Sequence, residues 1–388
     1  MKSNYEPLSK HIRLVDYRNS EEVTSTVLGI SIDKEFMPSV ANVIGTDLSR
    51  YKLISKGLFA CNPMHVGRDE RLPIALYEKA NPAIVSPAYF MFEIIDHAIL
   101  NEEYLMMWFR RPEFDRECWF MTDGSVRGGI TWDDLCRIKL PVPSYMRQCE
   151  IVESYRTITN RIALRRAEND NLEATAMSLY KSWFIDYEPF DLDDEGLPVG
   201  WCKEKLNDKL STSTQSINPQ KMDCDFVWHY SIPAYDNEKL PSKDTPSSIL
   251  SNKYIVPQNA ILVSKLNPDT KRIWRSVPCF ENAICSTEFI VFSTKEPTHR
   301  AFYYLLFNTG SFIDFLVSNA TGSTNSRMRV KPASSLDFEF ICPPNEVIDS
   351  FCRKVEPLLQ KIEENHLEIR KLKELIPIAV AKMMSSSR

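Results

Sequence analysis

The amino-acid sequence predicts an α+β fold, with two pseudo-twofold-related globular domains separated by a pair of long antiparallel coiled-coil helices. Three observations predict it. The chain is written twice, with a period near 200 residues. Each copy ends in a long heptad seam. Each copy also mixes period-two, strand-like runs with helical ones, the pattern of an α+β domain.

The repeat is visible residue by residue, and a repeat of this kind dictates the whole architecture. At a shift of 200, Arg127 falls on Arg327, Ile130 on Val330, Ile138 and Leu140 on Phe338 and Phe340, and Pro143 on Pro343. Gly124-Ser125 precedes the first set and Gly322-Ser323 the second, at a shift of 198. Tyr51 matches Tyr254 at a shift of 203, each opening a β-like run. Loop insertions account for the drift.

After each Pro the period becomes helical. Ile151, Tyr155, Ile158, Ile162, Arg165, Asn169, Leu172, Ala176, Leu179 and Trp183 step alternately by four and three, a heptad seam. At a shift of 200 lie Phe351, Val355, Leu358, Ile362, Asn365, Ile369, Leu372, Ile376, Ala379 and Met383. The polar members, Arg165, Asn169 and Asn365, are candidates to set the register between the helices. Ser144 and Asn345 are suitable caps for the two helix starts. Pro357 is expected to kink or break the second helix, and Pro377 to act similarly near its end. The acidic, Pro- and Gly-bearing stretch from Glu188 to Pro198 reads as a linker. Strand-like runs span Ala260–Ser264, Glu288–Ser293 and Leu336–Ile341, and a helical run spans Ala301–Ser318. The domains are therefore drawn as 1–143, a helix over 144–187, a linker over 188–198, a second domain over 199–343 and a helix over 344–388. Helices of roughly 36–40 residues extend about 55–60 Å. Paired antiparallel, they would hold two lobes at most about 60 Å apart.

Composition bounds the function. With 388 residues, 43% hydrophobic and 26% charged, the chain has the balance of a folded soluble protein with several domains. A formal net charge of −5 is the wrong sign for a uniformly basic nucleic-acid binder, so any such contact must come from local patches. The ten cysteines include no C-x-x-C pair and, with no zinc-finger spacing, read as reduced cytosolic thiols. Met1 to Leu8 has no apolar signal region. The most apolar stretch, Pro87 to Phe109, is interrupted by Glu93, Asp96, Asn101, Glu102 and Glu103, which argues against a membrane span. No phosphate loop, dinucleotide fingerprint, H-E-x-x-H or nucleophile elbow occurs. Asn62-Pro63-Met64-His65 lacks the second Pro and the aromatic of an adenine-methyltransferase motif. The six histidines have no Ser or Cys partner at motif spacing.

Local basic patches do occur. Residues 321–331 carry Arg327, Arg329 and Lys331 without an acid, beside Ser323, Thr324 and Asn325. Residues 264–275 carry Lys265, Lys271, Arg272 and Arg275 with one acid, beside Asn267 and Trp274. The analogous pieces of the first copy hold Asn62, His65, Arg68 and Arg71, then Ser125 and Arg127. Arg can fork onto guanine O6/N7, Asn can pair with adenine, and small residues let backbone N–H groups approach phosphate. Against this, Arg/Lys clusters are commonly solvated faces, loop Asn commonly forms turns, and Trp274 is expected to be packed.

Some segments resemble a known family. Tyr51-Lys-Leu-Ile-Ser-Lys-Gly-Leu-Phe-Ala-Cys-Asn-Pro-Met64, its continuation His65-Val-Gly-Arg-Asp-Glu-Arg-Leu-Pro73, and Ile84-Val-Ser-Pro-Ala-Tyr89 are similar to segments of the specificity subunits of type I restriction-modification enzymes. Gly196-Leu-Pro-Val-Gly-Trp201 is similar to the entry of a target-recognition domain in that family. The family often has Glu-Gln shortly after the Pro before each helix; here the first copy has Met146-Arg147-Gln148 and the second Glu346-Val347-Ile348. The resemblance implies two target-recognition domains reading a bipartite, asymmetric site in double-stranded DNA. It implies a non-catalytic chain in the cytoplasm with no cofactor or metal of its own. Two modification (methyltransferase) subunits would dock on the helices, and restriction (motor/nuclease) subunits would join. S-adenosylmethionine, ATP and Mg would belong to those partners. The alternatives are a coiled-coil scaffold that binds only proteins, and a self-contained methyltransferase or nuclease.

Overall fold

A computed structural model describes residues 5–39, 45–64, 66–122, 128–277, 280–322 and 328–385. The chain divides into two compact units, residues 1–161 with 372–388, and residues 162–371. Among the described residues no helix is long and apolar enough to cross a membrane.

The first unit contains β1 (Tyr5–Pro7), β2 (Ile12–Leu14), β3 (Val27–Ile30), β4 (Phe36–Pro38), β5 (Lys52–Ile54), β6 (Phe59–Cys61), α1 (Val66–Asp69), β7 (Ile74–Leu76), β8 (Ala83–Val85) and β9 (Phe90–Ile94). It continues with α2 (Glu102–Phe109), α3 (Pro112–Phe120), α4 (Trp132–Arg137), β10 (Lys139–Pro141) and the start of α5 (Tyr145–Phe184). One sheet has the order β2-β9-β6-β7, a second β4-β3-β8-β5, and β1 pairs with β10. Among the described residues of this unit, only β3 and β8 run parallel. Asn101 caps α2 by accepting from Glu103 and Tyr104 N–H, both at 3.0 Å. Phe59, Phe92, Phe109 and Phe114 fill the core, and Ile151, Val152 and Val380 of the long helices join it. Such burial stabilises the fold by about 25 cal/mol for each Å² of apolar surface removed from water. Gln148 is fully buried in the first turns of α5. Its Oε1 accepts from Asn101 N–H at 2.9 Å, and its Nε2 donates to the Ile99 and Pro143 carbonyls at 2.8 and 2.9 Å. That one side chain fastens α5 to the entry of α2.

The second unit contains β11 (Cys202–Lys205), α6 (Leu206–Lys209), β12 (Leu210–Ser213), β13 (Ser216–Ile217), β14 (Val227–Tyr230), α7 (Ile232–Glu238), β15 (Ser242–Asp244), β16 (Lys253–Ile255), β17 (Ile261–Ser264) and β18 (Ile273–Arg275). Then come β19 (Ala283–Cys285), β20 (Phe289–Thr294), α8 (Arg300–Phe307), α9 (Gly310–Ser318), α10 (Pro332–Ser335), β21 (Glu339–Cys342) and α11 (Asn345–Ser385). Its sheets are β12-β20-β17-β18, β13-β16-β19-β14-β15 and β11-β21. The first unit's strand pairing therefore recurs, down to a parallel pair, β14 with β19. Val27 and Val227 open β3 and β14, Trp132 and Pro332 open α4 and α10, and Tyr145 and Asn345 open the long helices, each pair 200 residues apart. Among the described residues the second unit adds β13 and α7, carries α6 where the first has a 3-10 turn over Leu8–Lys10, and has no counterpart of α1.

Within the second unit the long helices pair antiparallel. Asn365 Nδ2 donates to Asn169 Oδ1 at 2.9 Å and to Glu168 Oε2 at 3.0 Å, while Arg165 Nε donates to Glu368 at 2.8 Å. Asn169 and Asn365 are both buried. Of the seam residues, Ile151, Ile162, Val355, Ile362 and Asn365 are buried, and Tyr155, Ile158, Leu172, Leu179, Leu358, Leu372 and Ile376 half-buried.

Several local expectations are corrected. α11 runs unbroken through Pro357 and Pro377. Pro357 is exposed, so its ring costs the helix a hydrogen bond without disturbing a packed face. Asn345 is the first helical residue rather than the cap, and Pro344 precedes it. The helical run Ala301–Ser318 is two helices, because Thr309 caps a new start by accepting from Phe312 N–H. Residues 188–198 form a closed turn. Asp193 accepts from Glu195 and Leu197 N–H, Gly196 takes a φ of +77°, and Tyr187 and Phe190 pack against Trp201.

Candidate nucleic-acid interface

The basic loops named from sequence are laced together in both units by the same two backbone hydrogen bonds. In the first, Gly67 N–H donates to the Gly128 carbonyl at 2.9 Å and Ile130 N–H to the Pro63 carbonyl at 3.1 Å. In the second, Asn267 N–H donates to Met328 at 2.8 Å and Val330 N–H to Lys265 at 3.0 Å. The loop after β6 thus meets the segment entering α4, and the loop after β17 meets the segment entering α10. Gly129 permits the first approach, since a Cβ there would lie 2.8 Å from the Pro63 carbonyl oxygen. In the second unit Thr321 and Arg329 exchange two backbone bonds of 2.9 Å.

His65, Ser125, Arg127, Ser323, Thr324, Asn325 and Arg327 lie outside the described residues. Asn62 accepts from Met64 N–H at 3.2 Å and shapes a turn. Asn267 has a φ of +47° and takes part in the turn through its backbone. Lys271 and Lys331 are exposed and Lys265 half-buried. Trp274 is buried among Tyr230, Tyr235 and Phe289, and its Nε1 donates to the Lys239 carbonyl at 2.8 Å.

The remaining arginines each meet a carboxylate. Arg68 donates to Asp69 at 2.6 and 2.8 Å, and Arg71 to Asp33 at 3.2 Å. Arg272 donates through Nε and Nη2 to Asp236 at 2.6 and 2.8 Å. Arg329 Nη2 donates to Glu288 at 2.9 Å and its Nε at 3.0 Å. The carboxylate hydrogen bond raises the pKa of Arg68, Arg272 and Arg329. Glu288 is central to this region, because its carbonyl also accepts from Lys265 N–H at 2.9 Å. Sequence reasoning missed Asp33, Asp236, Glu288 and Gly129. The one available signal was that acids at 33 and 236 fall in the corresponding strand connections of the two copies.

Behind the Arg71–Asp33 pair lies a buried anchor. Lys34 Nζ donates to Asp115 Oδ1 at 2.6 Å and to the Phe109 carbonyl at 2.7 Å, and the same Asp115 oxygen accepts from Leu72 N–H at 3.1 Å. Burial pulls the Lys34 pKa down while Asp115 opposes it. The neighbours of both Asp33 and Arg71 are thereby tied to one carboxylate.

Among the described residues no group of three or more His, Cys, Asp or Glu could hold a metal. His229 Nδ1 lies 2.9 Å from Asp244 Oδ2, but Ser242 Oγ donates to that same carboxylate oxygen. The serine is therefore not aligned as a nucleophile on the imidazole.

No family model matches the chain. Two curated relatives do. It is 22% identical over 308 residues to the type I restriction enzyme MjaIX specificity subunit of Methanocaldococcus jannaschii, covering 73% of this chain and 68% of that one. It is 20% identical over 328 residues to the type I restriction enzyme HindI specificity subunit of Haemophilus influenzae, covering 66% and 70%. The chain is a homologue of type I restriction enzyme specificity subunits. The S subunit of a type I restriction-modification system from M. genitalium aligns with a TM-score of 0.56 at 13% identity, over 98% of this chain and 95% of that one. That likeness shows a shared fold, with two mixed helix–sheet units and two long helices.

Proposed function

We propose that this specificity-subunit homologue reads a bipartite, asymmetric site in double-stranded DNA, one half with each unit. The loops at 62–73 and 124–130 would serve one half, and those at 264–275 and 321–331 the other. The observation that carries this reading is the duplicated lacing, which brings the same two loops together in both copies. A protein-only scaffold has no use for that repetition.

The chain performs no chemistry in this reading. Modification subunits dock on the long helices and motor subunits join them. Adenine methylation with S-adenosylmethionine and ATP-driven cleavage belong to those partners, in the cytoplasm. Phosphate contacts by Lys265, Lys271 and Lys331 position the duplex, while arginines reach base edges.

The test is twofold. Affinity of the chain for duplex DNA is expected to fall linearly on a log–log salt plot, as counterions are released. A flat response would favour the scaffold. Exchanging residues 1–143 for those of another reader, with methylome sequencing as the readout, is expected to change one half of the methylated site. Change in both halves would overturn the modular reading.

A further inference from the structure

Strands β11 and β21 set two cysteines directly opposite each other. Cys202, the first residue of β11, faces Cys342, the last of β21, in antiparallel register. Both are free thiols, Cys202 exposed and Cys342 buried. Among the described residues no other strand pairing opposes two cysteines. Two hundred positions earlier the sequence has Lys2 and Val142, so the first copy carries no such pair. Glu204, two residues along β11 on the same face, accepts from the Cys202 thiol at 3.5 Å and pairs with Lys209 at 2.9 Å.

Opposed residues of an antiparallel ladder have Cα atoms about 4.5–5.5 Å apart and side chains on one face. Disulfides span about 4.4–6.8 Å between Cα atoms. Their Cβ atoms sit about 3.5–4.5 Å apart, so closure needs an approach of about 1 Å at most. The pair lies at the end of a two-stranded ladder, where such a shift disturbs no further strand. Burial raises both thiol pKa values and the Glu204 carboxylate adds to it, with Cys342 pushed up to about 11. Lys209 opposes this, and Tyr303 is the other titratable neighbour. Both thiols are therefore protonated at neutral pH, which slows their oxidation there and lets it quicken as pH rises.

We propose that Cys202 and Cys342 form a redox-sensitive lock, closing to a disulfide on exposure to a small-molecule disulfide such as oxidised glutathione. The exposed Cys202 thiolate attacks one sulfur of that molecule, forming a mixed disulfide and releasing one thiol. The Cys342 thiolate then attacks Cys202 Sγ, closing the protein bond and expelling the second thiol. Two electrons pass from the protein to the small disulfide, and the two thiol protons end on the released thiols. The bond joins the strand that follows the turn at 188–198 to the strand that leads into α11. Tethering residue 202 to residue 342 constrains the unfolded chain and so stabilises the second unit alone. The lock does not depend on the DNA-reading function.

The full chain is incubated with oxidised glutathione and mapped by mass spectrometry without reduction. A Cys202–Cys342 cross-linked peptide is expected, with loss of both thiols. The unfolding midpoint should rise by about 5–10 °C and fall back with dithiothreitol. The rate of closure should increase about tenfold from pH 7 to pH 8, following the thiolate fraction. Cys202→Ser should keep the midpoint of the reduced chain and lose the rise, whereas Cys136→Ser should still close. A lasting glutathione adduct on Cys202 beside a free Cys342 would overturn the proposal, as would no reaction of either thiol at pH 8. A cross-link that leaves the midpoint unchanged would count equally against a lock.

Discussion

The two units share a strand order and an offset, yet solve the same packing problem with opposite chemistry. Where the edge strand and short helix face the long helix, the first unit has Leu76 on β7 and an ion pair from Glu103 of α2 to Arg156 of α5. A groove of about 290 Å³ remains there, lined by Leu76, Met106, Val152 and Arg156 among others. The second unit places Arg275 at the position of Leu76 and Glu356 at that of Arg156. Arg275 and Arg300 are buried against Glu356 and Glu363, and the matching cavity shrinks to about 40 Å³. Burial, with Arg275 beside it, pushes the Arg300 pKa down to about 10. The polarity of the ion pair is reversed between the copies while the backbone frame is kept. A duplicated fold is therefore specified by where burial occurs, not by which groups are buried.

The comparison breaks most sharply at Glu363. Its replacement by Leu strands part of the charge of Arg275 and Arg300, and loss of one partner of a buried pair costs about 3–5 kcal/mol. The counterpart substitution, Ala163→Leu at an exposed site, should change stability by less than about 0.5 kcal/mol. Urea midpoints of the two variants measure the contrast, and equal midpoints would dissolve it. Gly129→Val is the next largest effect. Overpacking against the Pro63 carbonyl should cost about 1–3 kcal/mol by thermal unfolding. Arg329→Val, at the second unit's counterpart, should cost less than about 1 kcal/mol, because only an exposed pair with Glu288 is lost.

A third contrast lies in pH. His229 on β14 stands where β3 has Gly29, and burial holds its pKa below the ordinary 6.5 while Asp244 opposes. The unfolded chain then takes up this proton at higher pH than the folded chain does. The contribution is complete above about 6.5 and is lost as pH falls through the folded value. Denaturation midpoints should decline between pH 7.5 and 5.5, and His229→Gln should make that decline shallower. An unaltered slope would remove His229 from the account. Glu288→Gln, which removes the same exposed pair from the other side, should cost less than about 1 kcal/mol by urea denaturation.

Much of the frame was legible in the sequence, and particular residues show why. The seam from Ile151 to Trp183 and its copy from Phe351 could be read because helical burial repeats every three to four residues. Asn169 and Asn365 stood out as polar entries in those seams, and in the fold they bond each other. Gln148 marked a departure from the family pattern at the helix start, but its three bonds to backbone could not be inferred. Pro357 reads as a kink or break in the second helix, and no break occurs: α11 is helical through it, with the ring on an exposed position. The turn at 188–198 read as a linker since its composition is that of a loop. Its closure depends on Asp193 and on rings that meet only in three dimensions.

The linear order of residues determined the duplication, the alternation of strands and helices and the length of the two long helices. Those properties follow from spacing along the chain, and periodicity converts spacing directly into burial. Tertiary structure alone decided which loops lie together and what each cationic side chain meets. Asp33 finds Arg71, Asp236 finds Arg272 and Glu288 finds Arg329 across intervening strands. The free energy of such a pair depends on distance and solvent exposure, and neither quantity has a period that a sequence could display.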